Sequence, residues 1–369
     1  MKKFLMLATA SSLALYMTAC SDNSTSADDD PLKPASIYVM GTDYNSSGEL
    51  RWLNEDGVSE KSLQFFKDSK AIGIDGNLFI LERKGADNIA LVDPSENKVT
   101  WRVELDDNSN PSDVVKANKD EVWVSLDDAA KIIKVSVKDG KVTKTIKTDD
   151  FSQGEEKTPH LIDLDVSGDT LFALFQRGVS KGFNREYPAP ALLALYKLND
   201  GELLDTIQLA KKNPMGMGFA NGKLYVASHG LYNTSYGTDA DDARGIEVVD
   251  FAKKSSSMVI DGKKLGGGVF TFAIDPDGVI YAAINNGYDE NYVGNIPLVK
   301  VDLSKKSVES IDGLSDVEGS LIFDDVDGVL YIGDRGPKTG GLYSYDNGKL
   351  KKIDAPKDML PVYNIAIVR

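Results

Sequence analysis

The sequence predicts an all-β fold, a seven-bladed β-propeller closed by pairing of its N- and C-terminal strands. Three observations carry this. An aromatic residue stands at the centre of a short apolar triplet seven times, as Tyr38, Phe79, Trp123, Phe172, Tyr225, Tyr281 and Tyr331. Successive members of that series are 41 to 56 residues apart, the length of a propeller repeat. The chain also ends on an apolar run, Val362 to Val368, that has no partner of its own, while the first repeat lacks its opening strand.

The first 33 residues stand apart from this pattern. Lys2 and Lys3 precede an apolar stretch from Phe4 to Met17, too short for a bilayer-spanning helix. It leads into Thr18 and Ala19, small residues just before Cys20, the one cysteine of the chain. Residues 1–19 resemble a bacterial lipoprotein signal, which implies cleavage before Cys20 and lipid, palmitate included, on its sulfur. Within that resemblance, Ser21 implies sorting to the outer membrane, facing either the periplasm or the exterior. Residues 20–33 are then the lipidated cysteine and a tether. From Ser21 to Asp30 they contain no large apolar side chain, so they cannot offset their ordering entropy and are predicted to be disordered. Several acyl chains on one residue anchor a protein without a transmembrane helix, so the membrane is met through the lipid only.

Residues 34–369 form the propeller, and each repeat follows one grammar. Inner strands are predicted at 70–75, 113–117, 160–165, 215–220, 270–275 and 319–324. A tight polar turn leads to the aromatic-centred second strand. A loop of variable length precedes a third strand such as 88–92, 132–137 or 192–198. A turn, often Asp-Gly or Asn-Gly, then gives a more polar fourth strand, as antiparallel hairpins require. The first repeat opens with its second strand at Ser36, so the C-terminal run is expected to supply the missing inner strand. An open ring would leave unpaired edges at the seam; a latched one does not.

Three segments carry a family resemblance: Asp275-Pro276-Asp277-Gly278-Val279-Ile280-Tyr281, the stretch Asp325 to Tyr331, and Ala90 to Pro94. With them the whole chain after the tether resembles the seven-bladed propellers of the YVTN and YncE-like group, found in exported bacterial proteins. Members of that group have diverse roles, so the resemblance implies a fold and not an activity.

Charge and motifs narrow the function. The formal net charge is −15, and more negative once Lys2 and Lys3 are removed, which argues against nucleic acid as a partner. No cysteine remains in the folded part to form a disulfide. The tracts Asp324 to Gly328 and Asp275 to Gly278 invite a calcium reading, but they fall at hairpin turns that want Asp and Gly for backbone reasons. Gly178-Val179-Ser180-Lys181-Gly182 matches the nucleophile-elbow pattern without the helix that pattern needs. No phosphate loop, zinc spacing or dinucleotide fingerprint appears, so neither a cofactor nor a metal is expected.

Loop length is the more informative asymmetry. Between second and third strands, the loops 176–190, 228–245, 285–296 and 334–341 are long, and all emerge on one face. Long loops on a rigid scaffold are where recognition is built. The candidate ligand-binding residues on that face are His160, Arg177, His229, Asn285, Asn286, Asp334 and Arg335, a polar floor, with Tyr187, Tyr232 and Tyr288 above it. Phe183, Tyr236 and Tyr292 belong to the same loops, and Asp239, Asp241 and Asp242 are weighed there as a cation site against a solvated acidic loop. A polar floor with an aromatic rim suits a small polar ligand, a glycan, or a peptide of an envelope protein. The expected function is therefore a non-enzymatic, monomeric binding or interaction module. Two alternatives stand beside it: a calcium-dependent hydrolase or lyase of lactonase-like type, with Asn285, Asn286, Asp334, His160 and His229 near the ion, and capture of metal chelates by Arg177 and Arg335.

Overall fold

A computed structural model describes residues 36–181, 184–233, 236–237, 243–319 and 321–369. Cys20, the signal and the tether, together with Phe183, Asp239, Asp241 and Asp242, lie outside the described residues. Seven antiparallel sheets form the blades; six are simple four-stranded meanders, and the first takes its inner strand from the C-terminus. The second blade is typical, with strands Ser69–Ile74, Asn77–Glu82, Asn88–Asp93 and Lys98–Glu104 running from the axis outward. In the fourth blade the inner strand is Leu161–Ser167, one residue later than expected. His160 stands just before it in the left-handed region, at φ 56°. The loop after Thr170–Phe175 carries a small hairpin of its own, Val179–Lys181 with Asn184–Glu186. Ser180 of the elbow-like pattern lies on this hairpin.

The recurring aromatics explain why the blades stack. Seven apolar clusters exist among the described residues, one at each junction between neighbouring blades, and each holds one member of the series. Tyr38 fills the junction of blades one and two, Phe79 that of two and three, and Trp123 that of three and four. Phe172, Tyr225, Tyr281 and Tyr331 fill the next four. A ring centred on the second strand reaches across the sheet face into the next blade, where its polar tip finds a partner. Trp123 Nε1 donates to Leu198 O at 2.8 Å, and Tyr38 Oη donates to Asn97 Oδ1 at 2.9 Å. Aromatic rings suit this task because a large apolar body and one polar handle sit on the same side chain.

The ring closes as the terminal sequences require. Val362–Val368 pairs antiparallel with Ser36–Thr42, with Ser36 opposite Val368 and Val39 opposite Ile365. The C-terminal run thus becomes the inner strand of blade one, whose outer edge is two short pieces, Gly57–Val58 and Leu63–Phe65, rather than one strand. Arg369 then reaches the Asp324 to Gly328 turn of blade seven, donating to Asp324 Oδ2 at 2.7 Å and Asp327 Oδ2 at 2.8 Å. That tract is a hairpin turn whose carboxylates are held by a guanidinium.

Inner strands are stitched to one another by side chains that accept from the next blade's backbone. Asn364 Oδ1 accepts from Ala71 N at 2.6 Å, Asp113 Oδ2 from Leu164 N at 2.9 Å, and Asp163 Oδ2 from Met217 N at 2.6 Å. Burial raises the carboxyls of Asp113 and Asp163, and their mutual proximity raises Asp163 further. Asp165, on the same strand, is pushed up to about 7, first by burial and then by the charge of Asp113. A carboxyl whose folded value lies above its unfolded value near 3.8 favours the folded chain most when protonated. Stability from Asp165 is therefore expected to fall as pH rises from about 4 to 7 and to stay flat above that. Thermal melts across this range should show Asp165→Asn losing less than the parent, by about 1–3 kcal/mol at pH 7. Parallel curves would refute the assignment.

Candidate ligand-binding site

Above the axis, on the long-loop face, a cavity of about 730 Å³ opens. Its wall is aromatic: Tyr187 from the blade-four loop, Tyr232 and Tyr236 from blade five, Tyr288 and Tyr292 from blade six, with Tyr44 of blade one and Phe270. Several of its polar groups are held by hydrogen bonds. Gln176 Nε2 donates to Asn213 Oδ1 at 2.9 Å and to Pro214 O at 3.0 Å, and Gln176 Oε1 accepts from Arg185 Nη1 at 2.8 Å. Glu318 Oε1 accepts from Tyr288 Oη at 3.0 Å. Burial raises the phenols of Tyr187, Tyr232 and Tyr288, so each is a neutral hydroxyl at ordinary pH. Volume and lining are those of a site for a molecule of drug size.

Three of the expected residues, Tyr187, Tyr232 and Tyr288, line this cavity, as do Tyr236 and Tyr292. The polar ones lie beneath or beside it. His160 is 2% exposed, its Nδ1 at 3.2 Å from Asp127 Oδ1. His229 is fully buried under Tyr232, ring centroids 4.2 Å apart. Asn285 Nδ2 donates to His229 Nε2 at 2.9 Å, which leaves the imidazole proton on Nδ1, facing Gly230 O at 3.3 Å. Burial, aided by the charge of Arg244, pushes His229 down to about 4, so it is neutral at pH 7. Together with Gln176 and Asn213 these contacts form a belt, with one polar pair across each of three successive blade junctions. The histidines tie blades together.

The remaining members also have structural partners. Arg177 donates from Nε to Phe151 O at 3.3 Å and from Nη1 to Pro190 O at 3.4 Å, and burial lowers its pKa. Asn286 is exposed, and its backbone N–H donates to Asn295 O at 3.0 Å. Asp334 is fully buried and accepts from Ser315 N, Gly336 N and Thr339 Oγ1 at 2.7, 2.6 and 2.9 Å. Arg335 donates to Pro361 O, Val362 O and Thr42 O, and its guanidinium lies 4.4 Å from the Tyr44 ring. It is a clasp on the seam. Asp334 and Arg335 also border a second cavity of about 550 Å³ beside the segment 353–361.

Both oxygens of Asp334 are already engaged, Oδ1 by Gly336 N and Thr339 Oγ1 of its own loop and Oδ2 by Ser315 N. Among the described residues, Asp127, Asp128 and His160 offer ligand atoms within 4.8 Å of one another. Cations already occupy their surroundings, with Lys84 Nζ at 3.3 Å and Arg185 Nη2 at 4.0 Å from Asp128, and Asn110 Nδ2 donates to Asp128 at 3.0 Å. A bare metal ion would have to displace them. Among the cavity residues that sequence reasoning missed are the polar Lys84, Arg185, Gln176, Asn213 and Glu318, with Tyr44, Met215 and Phe270 beside them. Arg185 lies two positions before Tyr187 in a loop already singled out, which is the one signal that could have found it.

No protein-family model matches the sequence, and no curated protein does. Among solved structures, a Bacteroides fragilis protein provisionally described as a 6-phosphogluconolactonase is 12% identical. The match covers 91% of this chain and 98% of that one, with a TM-score of 0.59. A protein from Bacteroides uniformis with the same provisional description is 13% identical, covering 90% and 99%, with a TM-score of 0.58. A Bacteroides caccae protein of unknown function is 14% identical, covering 91% and 99%, with a TM-score of 0.51. These likenesses are of fold. The chain is a seven-bladed β-propeller.

Proposed function

We propose that this chain is a lipid-anchored binding module of the cell envelope that takes a small polar or glycan-like ligand in its tyrosine-walled funnel. The observation that carries the reading is the funnel itself: six tyrosines from four blades around a few oriented polar groups. Tyrosine offers large, rigid contact area with a hydroxyl at its end, at low entropic cost. Anchoring through Cys20, on the outer membrane, rests on the lipoprotein-like signal and the tether behind it. Equilibrium titration with a panel of oligosaccharides and short peptides tests the funnel. Tyr187→Ala and Tyr288→Ala are each expected to weaken the best ligand at least tenfold without lowering the melting temperature below that needed for the assay. Unchanged affinity in both variants would refute the site.

A lactonase-like hydrolase is the second reading, favoured by the provisional description of the two Bacteroides structures. Against it, the His160–Asp127 pair keeps His160 Nε2 buried, out of reach of a molecule in the funnel. Turnover of sugar lactones by the purified protein would favour the hydrolase over the binding module.

A further inference from the structure

We infer that Tyr44, Tyr236 and Tyr292 form an outer binding tier above Tyr187, Tyr232 and Tyr288, and that the ligand spanning both tiers is a neutral oligosaccharide. This rests on the funnel being a binding site, and adds the class of ligand and its extent. Tyr44, Tyr236 and Tyr292 all hold a left-handed backbone, at φ 60°, 56° and 60°. They are also exposed, by 41%, 49% and 79%, and all three line the funnel. Among the described residues, the other non-glycine positions in that region are Asn, Asp or Lys, with His160 and Arg177. A Cβ makes this conformation costly, whereas glycine adopts it freely. A bulky ring held there without burial returns little to the fold, so its use lies in what the ring will touch.

Two of these positions are built alike on neighbouring blades. In blade five, Asn233 N donates to Gly237 O at 3.0 Å, and Tyr236 N to Asn233 O at 3.1 Å. In blade six, Asp289 N donates to Val293 O at 3.0 Å, and Tyr292 N to Asp289 O at 3.0 Å. Asn233 Oδ1 and Asp289 Oδ1 then accept from the residue after the tyrosine, at 3.0 and 2.9 Å. The left-handed place in such a turn ordinarily calls for glycine, and both loops put tyrosine there. The blade-five turn is also aimed from beneath. Buried Asn285 donates to Tyr236 O and to His229 Nε2, each at 2.9 Å, and His229 lies under the Tyr232 ring. One polar pair thus fixes a wall tyrosine and a rim tyrosine together. Tyr44 differs, because Arg335 covers one of its faces and Tyr363 meets it edge-on at 5.5 Å, so packing offsets its backbone.

Charges in the lining are already matched. Lys84 Nζ lies 3.3 Å from Asp128, and Arg185 Nη2 lies 4.0 Å from the same residue while its Nη1 donates to Gln176. Glu318 is paired with Arg335 at 3.8 Å and with the Tyr288 hydroxyl. A free carboxylate or ammonium entering the funnel would give up its hydration to meet groups already satisfied, a cost that a neutral molecule avoids. Sugar rings carry an apolar C–H face and a hydroxyl edge, the same division of surface that tyrosine presents. Tyrosines at two levels suit a chain of such rings, one against the wall and the next against the rim.

The test measures affinities of the folded protein for neutral mono-, di- and trisaccharides of glucose, mannose, galactose and xylose, with a melting curve for each variant. In the best series the trisaccharide is expected to bind at least tenfold more tightly than the monosaccharide. Tyr236→Gly and Tyr292→Gly should each erase most of that gain and leave the melting temperature equal or higher, since the left-handed position is relieved. Tyr292→Phe, which keeps the ring, should keep the gain, and Tyr187→Ala should weaken every length. A melting temperature lowered by Tyr292→Gly, or a length dependence that survives both glycine variants, overturns the inference. If monosaccharides bind as tightly as longer chains and Tyr187→Ala abolishes this, the binding module stands and the outer tier falls. If no sugar binds but short peptides do, and Tyr187→Ala loses them, the module stands and the oligosaccharide falls. If neither sugars nor peptides bind, both fall.

Discussion

Removal of residues 362–369 is expected to yield a chain without a cooperative unfolding transition. Val362, Ile365, Ala366 and Val368 are each at most 5% exposed, and the strand they form is paired along its length with the N-terminal strand. Three large apolar side chains at about 1.5–3 kcal/mol each give on the order of 5–9 kcal/mol before any hydrogen bond is counted. That approaches the roughly 5–15 kcal/mol by which a domain is stable. The loss also strips the inner edge of blade one and the Asn364 contact to Ala71, so blades one and two part company. Circular dichroism should show no sharp melt, and gel filtration an expanded or aggregated species. A cooperative melt within a few degrees of the parent would mean that the ring does not depend on its latch.

Arg51→Ala is expected to cost about 3–5 kcal/mol, among the largest effects of any single substitution. Arg51 Nη2 lies 3.0 Å from Glu49 Oε2, with both side chains only a few per cent exposed. The arginine also donates from Nη1 to Ser59 O at 3.1 Å and Glu60 O at 3.0 Å, and Glu49 Oε1 accepts from Leu360 N at 2.7 Å. This pair therefore fixes the irregular edge of blade one against the segment that returns the chain to the axis. Truncating the arginine strands a carboxylate in the interior. Replacing both residues by leucine should cost less than Arg51→Ala alone, because no unpaired charge remains. Denaturant unfolding of the parent and the two variants checks the order, and equal losses for the single and the double change would contradict it.

The repeat was legible because its physics is local. An aromatic at the centre of the second strand has one place to go, the face of the next blade, so Tyr38 and Trp123 announce junctions as well as strands. The latch was legible for a related reason, since an apolar run such as Val362 to Val368 needs a partner. The funnel was legible only in part. Tyr187, Tyr232 and Tyr288 stand in long loops on one face, and length and composition reveal that much. Chain position gives the level of a residue in a blade but not whether its side chain points to the axis or to its neighbour. His160 and His229 stand at the expected level and turn sideways to Asp127 and Asn285. Lys84 and Tyr44 reach the funnel from short turns, which carry no sequence signal. Arg185 and Glu318 line one cavity only because the ring closes.

A crystal structure of the protein with a retained short peptide or oligosaccharide tests the central claim most directly. The account predicts ligand density among Tyr187, Tyr232 and Tyr288. Density confined to the 550 Å³ cavity beside residues 353–361, or to the outer rim of the blades, would contradict it.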